Sequence, residues 1–306
     1  MWIVAAFLSA ALLGLYDACK KHSLRGNAVI PVLFLNTFFC SLIFAGPILL
    51  SATGVIDQHS AAYVEPWNVS DHKFILLKAA IVLGSWIFGY FAIAQLPLTI
   101  VGPVNATRPV LTLVGALLIY GEELNGWQWT GVALAVASLY LLSRSGRKEG
   151  IRFTHNRWIY FLIIAALLGA MSGLYDKFLM SSPENGGIGL GRMSVQGWYN
   201  LYQCAMMGIV LLIIWWPKRR NGIAFQWRWS IVLISIFLTI ADLAYFYALS
   251  VPGAMISVVS MVRRGSVIVS FLCGALFFRE KNLRSKGFDL LLVLLGMICL
   301  FIGTYY

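Results

Sequence analysis

The sequence predicts an all-α membrane protein of ten transmembrane helices arranged as two inverted five-helix repeats. Three observations lead there. Of 306 residues, 60% are hydrophobic and only 11% are charged, which is not the composition of a soluble globular domain. Apolar runs of about 18 to 24 residues recur along the whole chain, each long enough to cross a hydrocarbon core of roughly 30 Å as a helix. Short strings in the first half recur, in the same order, in the second.

The first segment, 2–20, opens on Met1 and Trp2 with no basic n-region and no small-residue cleavage site, so it reads as a retained helix rather than a removable signal peptide. Further segments are expected at 28–50, 74–94, 98–120, 128–143, 158–180, 195–216, 229–250, 254–278 and 287–305. The links are short. Only 51–73 has the length of a modest external loop, which leaves no room for a nucleotide-binding cassette or a separate soluble domain. Of the eleven tryptophans, all but Trp86 fall at or near a segment end, where the amphipathic indole favours the headgroup level. Cys19, Cys40, Cys204, Cys273 and Cys299 lie in or beside segments without a CxxC or a His/Cys cluster. They read as small packing residues, so neither metal nor cofactor is expected.

A net charge of +11 would suggest a nucleic-acid partner in a soluble protein, but in a membrane protein its distribution matters more. With loops assigned alternately to two sides, sixteen Lys and Arg fall on one side, Lys20, Lys21, Lys218, Arg219, Arg284 and Lys286 among them. Four fall on the other: Lys73, Lys78, Lys177 and Arg192. The positive-inside rule places the sixteen in the cytoplasm and both termini outside. The expected location is the bacterial inner membrane, with no nucleic-acid partner.

The repeat follows from paired strings. GLYD occurs at 14–17 and 173–176; NTFFC at 36–40 faces NLYQC at 200–204; YFAIAQLP at 90–97 faces YFYALSVP at 245–252. The last offset, 155 residues, places Arg108 opposite Arg263. GAL then recurs at 115–117 and 274–276. The halves are 1–143 and 157–306, joined by a basic cytoplasmic linker at 144–156. Because five is odd, the second half runs through the membrane in the opposite sense, the inverted-topology arrangement of many secondary transporters.

Ten segments in two inverted halves, with GEELN at 121–125 and FREKN at 278–282 soon after segments four and nine, resemble the drug/metabolite transporter superfamily and its bacterial EamA-type branch. The resemblance implies solute transport without ATP hydrolysis, through a central cavity lined by both halves. A narrower likeness lies in MVRRGSVIVSF at 261–271. Plastid sugar-phosphate/phosphate translocators of the same superfamily carry a basic pair at a similar place in segment nine and a phosphate-binding basic residue in segment four. This implies a substrate-binding role for Arg263, Arg264 and Arg108.

Physical reasoning reaches the same three arginines. A lipid-facing arginine at a segment centre costs roughly 2.5 to 3.5 kcal/mol, so these side chains should face an aqueous cavity or polar partners. Only one carboxylate, Asp242, lies at similar depth, which leaves the middle of the membrane near +2 and attractive to an anion. The guanidinium fork matches carboxylate or phosphate oxygens in pairs. The competing reading is structural, with arginines bonded to carbonyls of a broken helix. Tyr90 and Tyr245, which begin the third pair of matched strings, join the substrate-binding candidates. Asn36 and Asn200, mid-segment and related by the repeat, either bind ligand or link helices. Asp17 and Asp176, with Tyr16 and Tyr175, are candidates for alternating gates or ion coupling, and Asp17 is also spaced for a local pair with Lys20 or Lys21. Pro97, Pro103, Pro109 and Pro252, with Gly102 and Gly253, cluster near the starts of segments four and nine and permit bending there.

The function expected from the sequence is secondary-active or exchange transport of a small organic anion, a phosphorylated or carboxylated metabolite, by alternating access. The alternatives are export of amino acids or amphiphilic metabolites and flipping of an anionic lipid headgroup. An enzyme acting on a lipid-linked phosphate would present His, Asp or Ser constellations at one membrane face, whereas His22 and His155 have no evident carboxylate partner. The expected partners are the anionic solute, membrane lipid and a coupling proton or counter-substrate, to a monomer or homodimer.

Overall fold

The computed structural model describes residues 2–60, 62–65, 69–111, 114–115, 124–147, 151, 153–180, 183–220, 222–250 and 262–305. Among these the regular structure is helical, with no strand. The main helices are α1 (Trp2–Leu24), α2 (Val29–Ala52), α3 (Val69–Gln95), α4 (Leu98–Ala106), α5 (Gly126–Arg147), α6 (Arg157–Met180), α7 (Arg192–Val210), α8 (Ser230–Ser250), α9 (Ser266–Leu276) and α10 (Leu283–Tyr305). Each falls on an expected segment. The far part of segment four and residues 254–261 of segment nine, with Pro252, Gly253, Glu122 and Glu123, lie outside the described residues.

Among the described residues, six helices are long and apolar enough to cross a membrane: α1, α2, α3, α6, α7 with its continuation to Lys218, and α10; Ser230–Tyr245 of α8 is a shorter apolar stretch. The continuation of α7 is irregular, a π turn at Leu211–Trp215 followed by a 3-10 turn at Trp216–Lys218. Pro217, lacking an N–H, cannot extend the ladder. Large apolar side chains stand exposed along the bundle, among them Val4 at 71%, Ile213 at 69% and Leu276 at 71%. At about 25 cal/mol per Å² such a surface is unfavourable in water and neutral against lipid tails.

The helices pair reciprocally. α1 packs on α8 as α6 packs on α3; α1 meets α9 as α6 meets α4; α3 meets α7 as α8 meets α2; and α2·α7, α4·α9 and α5·α10 are each their own counterpart. Exchanging each helix with the one five places along maps these pairs onto themselves, whereas the α4·α10, α1·α3 and α2·α3 contacts have no comparable counterpart among the described residues. Glycines permit the tightest approaches: a Cβ on Gly131 of α5 would lie 2.8 Å from the carbonyl oxygen of Gly296 on α10, and one on Gly102 of α4 would lie 2.7 Å from Val267 on α9.

Segments four and nine are both interrupted. α4 ends at Ala106, and helical backbone resumes at 108 after a turn at Thr107. Pro109 has no N–H to offer the Asn105 carbonyl, and the turn is tightened by Thr107, whose N–H and Oγ1 both donate to the Val104 carbonyl, at 3.2 and 2.7 Å. In segment nine a turn at Gly265, whose N–H reaches the Val262 carbonyl at 2.9 Å, separates helical 262–264 from α9. The sequence-predicted arginines therefore sit beside the two breaks.

The start of α4 is held from the other half of the chain. Glu280 accepts hydrogen bonds from the backbone N–H groups of Leu98 (2.7 Å) and Thr99 (2.8 Å) and from Thr99 Oγ1 (2.5 Å). Otherwise these amides would be unpaired at the helix N-terminus. Lys286 adds a bond to Thr99 Oγ1 at 2.9 Å.

Candidate functional site: a cationic cavity between the halves

A cavity of about 430 Å³ lies between α1, α3, α4, α6, α8 and α9. Its wall includes seven of the binding and gating candidates expected from sequence: Arg108, Arg263, Arg264, Tyr90, Tyr245, Tyr16 and Asp17. Three helices supply most of its polar chemistry, each for a local reason.

On the segment-four side, Gly102, Asn105 and Arg108 recur at intervals of three and all reach the cavity. The Arg108 guanidinium lies across Gly169 of α6: a Cβ at that glycine would sit 2.9 Å from Cζ, 3.0 Å from Nη1 and 3.1 Å from Nε. Only a residue without a side chain leaves this seat open. The Asn105 side-chain oxygen is buried with no hydrogen-bond partner among the described residues.

On α1, the one-turn spacing of Asp17 and Lys20 closes an ion pair, Nζ to Oδ1 at 2.9 Å. The Lys20 ammonium also stands 4.3 Å from the centre of the Tyr16 ring and 5.2 Å from that of Tyr90, a cation–π arrangement that stabilises a desolvated charge. The Tyr90 hydroxyl, buried in the cavity wall, has no hydrogen-bond partner among the described residues. A buried hydroxyl left so is costly, and a bound polar solute would relieve it.

At the segment-nine break, Arg263 donates from Nη2 to Asp242, whose other oxygen accepts from Gln196 Nε2 at 2.9 Å. The same guanidinium stacks 4.3 Å from the centre of the Tyr245 ring. Arg264, the most exposed of the three arginines, also lines the cavity. Arg108, Arg263, Arg264 and Lys20, set against Asp17 and the adjoining Asp242, leave the region at a formal +2.

The remaining candidates lie elsewhere. Asp242 stands behind Arg263 rather than in the cavity wall. Asn36 of α2 accepts from Ser235 of α8 at 3.0 Å, and the Asn200 carbonyl of α7 accepts from Ser41 of α2 at 2.8 Å. Both asparagines thus sit at helix–helix junctions, outside the cavity. Asp176 pairs with Lys78 of α3 at 2.6 Å, and Lys78 donates also to Ser172 Oγ at 2.5 Å. Tyr175 reaches the Phe74 carbonyl at 3.3 Å. The two acids matched by the repeat therefore occupy different surroundings, one in the cavity and one in an α3–α6 clasp.

Three lysines counted from sequence as loop charges belong inside. Lys20, Lys78 and Lys286 are 9%, 4% and 0% exposed, because each finds a polar partner within the bundle. Lys20, Asn105, Gly169 and Glu280 were not among the sequence-derived site residues. The i,i+3 spacing of Asn105 with Arg108 and of Asp17 with Lys20 was a usable signal for the first two. Nothing local marks Gly169, which matters only because Arg108 crosses it.

Comparison with known proteins adds two findings. Residues 1–144 match the EamA-like transporter family. A crystal structure described simply as that of a protein is similar over 97% of this chain and 96% of its own, with a TM-score of 0.58 and 14% identity. It is one of 24 similar solved chains, and the likeness is one of fold. No curated protein matches.

Proposed function

We propose, from the premise that residues 1–144 form an EamA-like module and that the chain is a membrane transporter of the drug/metabolite type, that its cargo is a small organic anion bound at the cationic cavity. The observation that carries this reading is the convergence of Arg108, Arg263 and Arg264, delivered by two helix breaks, on one cavity left at +2. Arg108 and Arg264 bind a phosphate or carboxylate group. Arg263, neutralised by Asp242, positions the site through Tyr245. Asn105 and Tyr90 hydrogen-bond to the rest of the solute.

The chain spans the membrane ten times as two inverted five-helix repeats, a reading supported by the reciprocal helix pairing. It belongs in a bacterial inner membrane with both termini outside, supported by the excess of Lys and Arg in the links assigned to the cytoplasm. Transport proceeds by alternating access: the interrupted helices supply compliance at the substrate, and the Lys78–Asp176 clasp holds α3 to α6 as a gate. Asp17, inside the cavity beside Lys20, favours a second reading in which the solute is an amphiphilic amino acid whose ammonium group replaces Lys20 at that carboxylate.

A thermal-shift screen of the purified protein against phosphorylated metabolites, organic acids, amino acids and lipid headgroups tests both, since a ligand that binds only the native state stabilises it by mass action. Anions that act only with Arg108 intact support the first reading. Stabilisation confined to zwitterions and dependent on Asp17 supports the second.

A further inference from the structure

We propose that the groove between the basic ends of α5 and α10 is a binding site for an anionic phospholipid, separate from the central cavity and independent of what that cavity carries. The groove, about 490 Å³, is lined by Leu141, Arg144 and Ser145 of α5 and by Arg284, Ser285, Phe288 and Asp289 of α10. It shares no residue with the central cavity.

Its polar end is built for a phosphodiester. Arg144 and Arg284 come from different helices, both are exposed, and among the described residues neither has a hydrogen bond or an ion pair. The acid in the groove wall, Asp289, is 2% exposed and accepts a bond from Ser145 Oγ at 2.8 Å, so the two arginines outnumber it and leave the groove at a formal +1. Ser145 also meets Ser285 Oγ at 2.6 Å, which places two hydroxyls beneath the two guanidinium forks. Such forks engage phosphate oxygens in pairs.

Exposed apolar rows for acyl chains continue from the groove along both helices. One and two turns back from Arg144 on the same face of α5 stand Tyr140, 64% exposed, and Val136, 60% exposed. From Arg284, the same face of α10 presents Phe288, Leu291 and Leu295, at 56%, 51% and 41% exposed. The helices lie side by side, joined by the Gly131–Gly296 approach and by a 2.7 Å bond from Ser138 Oγ to the Asp289 carbonyl. The two apolar rows therefore leave the arginines in one direction and run for about 12 to 16 Å at roughly 1.5 Å per residue. That is close to the depth of one leaflet's hydrocarbon, about half of roughly 30 Å. A soluble phosphate would use the arginines and leave the rows unused; a lipid uses both. Basic pockets between membrane helices near the cytoplasmic surface suit anionic headgroups for the same reason.

The test uses the full chain in detergent, with melting temperature and lipid retention in native mass spectrometry read against three probes: phosphatidylglycerol, phosphatidylcholine and soluble glycerol phosphate. Phosphatidylglycerol is expected to raise the melting temperature and remain bound, with the other two having smaller effects. In Arg144→Gln/Arg284→Gln the gain from phosphatidylglycerol should fall to that of phosphatidylcholine, with retention weakened about tenfold or more, the scale of losing a charge-assisted bond. Arg25→Gln/Arg220→Gln removes the same formal charge at exposed positions elsewhere and should keep the full gain. If the first double variant does not fold, each single variant should still lose part of the gain, and Phe288→Ala should weaken retention of lipid alone. Retention of the full gain without Arg144 and Arg284, an equal gain from phosphatidylcholine, or an equal gain from glycerol phosphate would each overturn the proposal.

Discussion

Replacing Arg108 by Gln tests why a guanidinium stands beside a break in a membrane helix. The change removes a charge while keeping a polar side chain, and it empties the seat over Gly169. A hydrogen bond to a charged group contributes about 1.5 to 3 kcal/mol, so affinity for the anionic ligand should fall by roughly 10- to 150-fold. The larger loss should fall on ligand affinity rather than on stability without ligand. Gly169→Ala asks the same question from the other helix. Its new Cβ would lie 2.9 Å from Arg108 Cζ, whereas ordinary carbon contacts are about 3.5 to 4.0 Å. The guanidinium must therefore move by about 0.5 to 1 Å, and affinity should weaken several-fold with the charge intact. In the Arg108→Gln background, Gly169→Ala should add little, since the group it displaces is gone; sites acting through one another are non-additive in this way. Ligand-dependent melting and proteoliposome uptake on the four proteins of this cycle give the numbers. A lower unliganded melting temperature with unchanged affinity in Arg108→Gln would show that the arginine braces helices, and fully additive losses would show that Gly169 acts elsewhere.

Other perturbations address the gate, the cap and the topology. Lys78→Met should destabilise the protein by less than the roughly 3 to 5 kcal/mol typical of a broken buried pair, because the Asp176 side chain is 35% exposed; Lys78→Met/Asp176→Asn should recover part of the loss in a melting experiment. Asp176→Asn, which breaks the clasp, should impair uptake while the protein remains folded, and wild-type uptake would remove its gating role; Asp17→Asn should act instead through the ligand selectivity of the cavity. Glu280→Ala strips the start of α4 of its acceptor and should cost on the order of 1 to 2 kcal/mol, visible as a lower melting temperature. On a cysteine-free background, Asp57→Cys should react with an impermeant reagent in intact cells and Arg147→Cys should not; the opposite pattern reverses the orientation.

The segments were legible from sequence because hydropathy and backbone chemistry are properties of neighbours along the chain. Apolar length located the helices. The Pro and Gly cluster near the starts of segments four and nine marked where bending was possible, and the arginines stranded in apolar runs marked the charges that needed an explanation; the break itself, at Thr107, was placed by the structure. The face each helix turns inward was not legible. A helix rotates about 100° per residue, and in a membrane the lipid-facing and protein-facing sides are both apolar, so periodicity that would orient a soluble helix carries little signal here. Only the tertiary structure decided that Asp17 enters the cavity while its repeat partner Asp176 closes a clasp with Lys78, that Asp242 answers Arg263 rather than a solute, and that Lys20 lies inside. It also decided the meaning of Gly169, a residue with no chemistry of its own, which the packing of α6 places under the Arg108 guanidinium.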